Sequence, residues 1–181
     1  MPGADPRAMS HSWLFTGPPG SGRSLAAIDF AAALMCTDPE EPGCGRCEAC
    51  RAVLETKQHT DLVLVDPQEV IIPVDTVREV IGRAASLPTV APWRVVIFNN
   101  ADRLNNNGAN ALLKTVEEPP ARTVIIMCAP SDAPEDFSQT LRSRCRHLYI
   151  PSPSVESITA QLVSEGASDH DAHLAALTSL R

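Results

Sequence analysis

The sequence predicts an α/β protein built on a five-stranded, mainly parallel sheet flanked by helices. Three observations carry that expectation. Short apolar runs alternate with segments of helical period, the order that produces crossovers and parallel pairing. A Gly-rich loop stands at the first junction between such a run and such a segment. Several of the 16 prolines stand where elements should end. The bulk numbers agree. The chain has 181 residues, of which 44% are apolar, 20% charged and 4% aromatic. That is enough apolar material for a core, and it excludes wholesale disorder. No apolar run is long enough for a membrane-spanning helix, and residues 1–10 lack the apolar core of a secretory signal. Fifteen basic against 22 acidic residues give a net charge of −7. Such a chain is a poor candidate for coating nucleic acid alone; it would touch DNA only within an assembly that supplies a basic surface.

The elements follow in order. Residues 12–16 read as a strand, broken by Gly17-Pro18-Pro19-Gly20-Ser21-Gly22. Residues 24–35 read as a helix, with Leu25, Ile28, Ala32 and Met35 on one stripe. A cysteine-rich loop follows, then a strand over 61–65. Val74, Val77, Ile81 and Ala85 mark a second amphipathic helix that stops by Pro88. The third strand, 94–98, is almost continuously apolar, as a strand buried on both faces should be. A third helix over 106–118 ends at Pro119-Pro120, because the residue before a proline avoids helical dihedrals. Strands over 123–128 and 146–150 bracket a short helix over 135–141. After Pro151-Ser152-Pro153 the pattern turns helical, with a helix from Val155 that Gly166 can cap and another opening at Asp169. The domains expected are a flexible segment over 1–10, an α/β domain over 11–151, and the start of a small helical domain over 152–181. The chain is expected to be part of a longer protein.

Residues 17–24 fit the phosphate-loop pattern G-x-x-x-x-G-[KR]-[ST] between a strand and a helix. Gly17, Gly20 and Gly22 would let backbone N–H groups turn toward phosphate oxygens at a helix N-terminus. Ser24 would hold magnesium. Arg23 departs from the pattern: a planar guanidinium replaces the compact ammonium that reaches the terminal phosphates. The third strand should end in an Asp for magnesium and a Glu to orient water. It ends instead in Asn99 and Asn100, which supply neither charge nor a base. Asp102 reads as a turn carboxylate. With both halves of the site altered, ATP and magnesium binding is in doubt and hydrolysis by this chain is not expected.

Cys36, Cys44, Cys47 and Cys50 present four thiols within fifteen residues. Without a signal peptide, this is not a disulfide scaffold but a metal loop. Four thiolates satisfy zinc tetrahedrally and leave no position for substrate, so the zinc should be structural. A redox pair or an iron–sulfur cluster are the alternatives. His59 is not needed as a ligand. Cys128 reads as a small buried residue. Ser143-Arg144-Cys145, ahead of the last strand, reads in isolation as a surface arginine.

Taken together with Val74-Asp75-x-Val77-Arg78, the run from Asn110 to Pro120 and Thr140-Leu141-Arg142-Ser143-Arg144-Cys145, these motifs resemble the bacterial DNA polymerase III clamp-loader family of AAA+ proteins. The resemblance covers residues 11–150 and continues into the helical lid. Its tau/gamma branch is a working ATPase with an intact loop lysine and an Asp-Glu pair. Its delta-prime branch keeps the fold, the zinc module and the SRC segment while its own nucleotide site decays. Arg23, Asn99 and Asn100 make this chain similar to the delta-prime branch; an active tau/gamma-type ATPase is the alternative. The resemblance implies a subunit of a five-membered ring that opens the sliding clamp and places it on primed DNA. Within it, the chain would be a stator that contributes Arg144 of the SRC segment, with Ser143, as an arginine finger to a neighbouring active site. It implies membership of the DNA polymerase III holoenzyme, a nucleotidyltransferase. The partners implied are tau/gamma and delta subunits, and the clamp and DNA through the complex, in the bacterial cytoplasm. It places the sensor-one position near Ser131 and leaves the family's upstream segment and collar domain outside this chain.

Overall fold

A computed structural model describes residues 10–67 and 69–179; residues 1–9, Gln68, Leu180 and Arg181 lie outside the description, and with them most of the expected flexible N-terminal segment. Five strands, β1 (Ser12–Thr16), β2 (Leu62–Val65), β3 (Arg94–Phe98), β4 (Thr123–Ala129) and β5 (Arg146–Tyr149), form one sheet in the order β2-β3-β4-β1-β5. Every pairing is parallel. The carboxyl ends of all five strands therefore share one edge of the sheet, and the amino ends share the other.

Alternation along the strands divides the core in two. Leu14, Val63, Val96, Phe98, Ile125 and Met127 face helices α3 (Val74–Ala84), α4 (Asn106–Glu117) and α5 (Gln139–Arg142). Phe15, Leu62, Val95, Ile97, Val124, Ile126 and Cys128 face helix α1 (Arg23–Met35) and the cysteine loop. The continuous burial of β3 and β4 follows from this cover on both sides. β5 lies at an edge and is exposed along its length.

A buried ion pair locks the amino edge of the sheet. Asp61, just before β2, accepts from the backbone N–H groups of Thr89, Val90 and Ala91 at 2.8, 2.7 and 3.0 Å, and from Arg94 Nη2 at 2.8 Å. Arg94 Nη1 in turn donates to the Arg83 and Ser86 carbonyls at 2.6 and 2.8 Å, stitching the end of α3 to β3. Burial acts to raise the Asp61 pKa. The three N–H donors and the guanidinium outweigh it, so the carboxyl lies well below the usual carboxylate range.

The expected elements are present, with three differences. Residues 135–141 are helical only from Gln139, because Asp136 and Phe137 N–H groups close a turn on the Ala133 carbonyl first. Helix α2 (Glu48–Arg51) and a π-helical turn (Ala52–Thr56) extend the cysteine loop, where the sequence pattern predicts no helix. A 3₁₀ turn (Ala101–Arg103) follows β3. Helices α6 (Val155–Ser164) and α7 (Asp169–Ser179) pack on each other and bury Ala172 and Ala176. Ser154 caps α6 by accepting from Ser157 N–H at 3.1 Å, and Gly166 ends it with φ 101°.

Candidate nucleotide loop, cysteine site and exposed arginine

The phosphate-type loop leaves the carboxyl end of β1 and enters α1. Gly20 and Gly22 take φ values of 81° and 82°, which only a residue without Cβ adopts cheaply. Gly17 is required for a different reason: a Cβ there would lie 2.3 Å from the Ile150 carbonyl oxygen and 2.5 Å from Ser21 Oγ. The N-terminus of α1 has no side-chain cap, so its N–H groups face the loop.

Arg23 does not extend over this loop. Its Nη1 donates to the carbonyls of Gly17 and Pro18 at 2.7 and 3.1 Å, folding the guanidinium back on the loop that contains it. Arg23 Nε, Ser21 Oγ and Asn99 Oδ1 are buried without a hydrogen-bond partner among the described residues. Burial raises the Cys128 thiol pKa to about 12, and the charge of Arg23 opposes that rise. Outside lies an open depression of about 360 Å³ bordered by Pro19, Gly20, Gly22, Arg23, Ser24 and Leu25.

Asn99 and Asn100 follow β3 on the same carboxyl edge. Asn99 N–H donates to the Val65 carbonyl at 2.9 Å, and Asn100 takes a left-handed φ of 53° that opens the 3₁₀ turn. Asp102 is exposed on that turn. No carboxylate stands at the end of β3 to hold a divalent cation or orient water. Ser131 hydrogen-bonds Asp136 Oδ2 at 2.6 Å and accepts from Ala133 N–H, which makes it the closing residue of a turn.

The four cysteines converge. Cys36, Cys44, Cys47 and Cys50 place their Sγ atoms within 4.8 Å of one another. The Cys36–Cys44 and Cys36–Cys47 sulfurs are 3.6 and 3.9 Å apart. A tetrahedron of thiolates at about 2.3 Å from one ion has edges of about 3.8 Å, so the set fits a single tetrahedral metal. Backbone N–H groups support the sulfurs: Asp38 N–H points to Cys36, Cys47 N–H to Cys44 and Cys50 N–H to Cys47, each at 3.4 Å. N–H groups of Thr37 and Cys50 lower the Cys47 pKa to about 6, whereas burial raises that of Cys50 to about 12. Gly43 and Gly45, with φ of 81° and 69°, make the turns. Cys36, Cys50 and Val53 belong to the core under α1, so the loop is anchored to the sheet. His59 is separate from the cluster; its Nδ1 accepts from Asp61 N–H.

Arg144 lies at the opposite edge of the sheet from the loop. It precedes β5, whose Arg146 pairs with Trp13 near the start of β1, whereas the glycine loop follows the end of β1. The two are separated by the length of a five-residue strand, roughly 16 Å. The Arg144 side chain is partly exposed in an open hollow with Ser10, His11, Ser12 and Glu117. Arg142, two residues earlier, is held by Asp132 through Nε and Nη2 at 2.8 and 2.6 Å.

A phosphate-type loop at the carboxyl edge of a 2-3-4-1-5 parallel sheet, with helices on both faces, defines a P-loop α/β module. The family model for the DNA polymerase III delta subunit matches residues 4–154, and the chain belongs to that family. It is 35% identical over 165 residues to the DNA polymerase III subunit delta' of Pseudomonas aeruginosa, covering 87% of this chain and 49% of that protein. It is 34% identical over 170 residues to the delta' subunit of Escherichia coli, covering 92% and 50%. The tau subunit of Bacillus subtilis matches at 29% over 157 residues, covering 86% of this chain and 27% of that one. Among solved structures, a gamma subunit-related protein of Thermotoga maritima superposes with a TM-score of 0.58 at 20% identity, covering 87% and 49%. RuvB from the same genus superposes at 0.53 and 16%, covering 94% and 50%. The chain thus spans about half the length of the delta' relatives it matches.

Proposed function

We propose that this chain belongs to a clamp-loader subunit of the delta' kind, acting as a stator that lends Arg144 to a neighbouring ATPase. The observation that carries the reading is the placement of the two arginines. Arg144 is partly exposed and lies roughly a strand's length from its own loop, so it suits a site on another subunit. Arg23 is turned onto the Gly17 and Pro18 carbonyls of its own loop. In trans, a guanidinium stabilises charge on the transferring phosphoryl group, an effect worth roughly 10³–10⁵ in rate. At home, two asparagines at the end of β3 leave magnesium without a carboxylate. Magnesium-ATP does not fit the donor set of this chain, and no step is assigned to its own loop.

In this reading the four cysteines hold a structural zinc ion that closes residues 36–50 over α1. Residues 152–181 begin a helical lid. The subunit would work with tau/gamma and delta neighbours, and with the clamp and primed DNA through the complex, in the bacterial cytoplasm. Among the described residues no helix is long and apolar enough to cross a membrane.

The test uses the full-length subunit. Alone, with magnesium-ATP, it should hydrolyse nothing; added to its ATPase neighbours, with clamp and primed DNA, it should stimulate their turnover. Hydrolysis by the isolated full-length subunit would contradict the proposal.

A further inference from the structure

We propose that Glu117 is a positioning residue for Arg144, an inference that rests on the reading of Arg144 as a donor in trans. An arginine carries five N–H groups. Arg144 Nε donates to Glu117 Oε1 at 2.5 Å. Its Nη1 donates to the Thr140 carbonyl at 2.7 Å and to Ser143 Oγ at 3.2 Å. Three of the five N–H groups are thus satisfied within the chain. Both N–H groups of Nη2 have no partner among the described residues. A guanidinium gripped at Nε and Nη1, with Nη2 left over, is held ready to present a two-donor end to a phosphoryl oxygen.

The grip comes from two separate elements. Thr140 and Ser143 belong to α5 and its C-cap, whereas Glu117 is the last residue of α4. That end of α4 is itself fixed, because Ser12 Oγ of β1 donates to the Val116 carbonyl at 3.2 Å. Pro119 and Pro120 forbid the helix from continuing. Glu117 is therefore a rigid post rather than a residue of a mobile loop.

Its place on α4 is unfavourable for the helix alone. A carboxylate in the last turn faces the negative end of the helix dipole, where a cation is preferred. The cation that offsets this is Arg144, 27 residues away. The pair is also too exposed to contribute much stability, with 35% and 46% of the two side chains accessible. What such a pair does well is fix direction: without it, a long arginine side chain must be ordered each time the neighbouring site closes.

The experiment uses the assembled loader with full-length subunits, clamp and primed DNA. It reads kcat and KM for ATP with Arg144→Ala, Glu117→Ala, Glu117→Gln and the Arg144→Ala/Glu117→Ala double variant. Glu117→Ala should lower kcat by about 10- to 100-fold with KM for ATP unchanged, since ATP is bound by the neighbour. Glu117→Gln keeps an oxygen acceptor for Nε–H and should recover most of that loss. In the Arg144→Ala background, Glu117→Ala should add nothing. If Arg144→Ala is damaging while Glu117→Ala leaves kcat unchanged or raises it, the positioning role is wrong, and a rise would mean that Glu117 restrains the arginine instead. If Arg144→Ala itself has no effect, the donor reading fails, and the role of Glu117 falls with it.

Discussion

Asp61 and Arg94 illustrate how one residue pair fixes a whole sheet edge. Removing either partner leaves a buried charge with donors or acceptors unmatched. Asp61→Ala should therefore cost about 3–5 kcal/mol of stability, measurable by urea unfolding of the full-length protein. The sign of its pH dependence follows from the lowered pKa. The folded protein keeps this carboxylate charged where the unfolded chain would take up a proton. Its stabilising contribution is complete above about pH 4 and is lost as pH falls through the lower folded-state value. Asp61→Ala should accordingly lose this part of the acid sensitivity. In the sequence, Asp61 reads only as the first residue of a strand. Its partner lies 33 residues away, and no local pattern announces a contact across that distance. The same limit applies to Glu117. It stood inside the run from Asn110 to Pro120, yet only the fold brings it to Arg144. Arg23 was legible as an anomaly, because a departure from a spaced motif is visible without coordinates; its turn onto Gly17 and Pro18 was not.

At the scale of elements, the cysteine loop has little core of its own and gathers four thiols at one point. Residues 36–50 contribute few buried apolar side chains beyond Cys36, Ala49 and Cys50. The full-length protein should carry one equivalent of zinc by elemental analysis, and chelation should make this loop cleavable by trypsin near Arg46 and Arg51 before the rest of the domain unfolds. A metal-free preparation with unchanged protease resistance would contradict the structural role. The turn into α1 offers a cleaner backbone test. Gly22 has φ 82° and open space around the position of a Cβ, so Gly22→Ala adds no clash. Its cost should be that of the left-handed backbone, about 1–2 kcal/mol, visible as a lower thermal midpoint. Most strands and long helices were legible because their apolar period is unambiguous and prolines or glycines mark their ends. α2 and the π-helical turn were not. The cysteine spacing masks their period, and together they run only from Glu48 to Thr56. The helix expected over 135–141 shortened because the Ala133 turn takes its first residues.

At the scale of the whole molecule, parallel pairing sorts the functional features by edge. All loops that follow strands, including residues 17–24 and Asn99-Asn100, gather at the carboxyl edge; Arg144 precedes β5 and falls at the amino edge. The alternation of strands and helices made the parallel sheet readable in advance. The separation of the two arginines follows from strand direction and could be drawn from the same pattern.

The most direct measurement is the clamp- and DNA-stimulated ATPase of a loader reconstituted with full-length Arg144→Ala or Arg23→Ala subunit. On the proposed function, Arg144→Ala should reduce turnover by about 10³-fold or more, while Arg23→Ala should leave it close to that of the unmodified loader. Full turnover with Arg144→Ala, or loss of turnover with Arg23→Ala, would contradict it and return the nucleotide site of this chain to the centre of the mechanism.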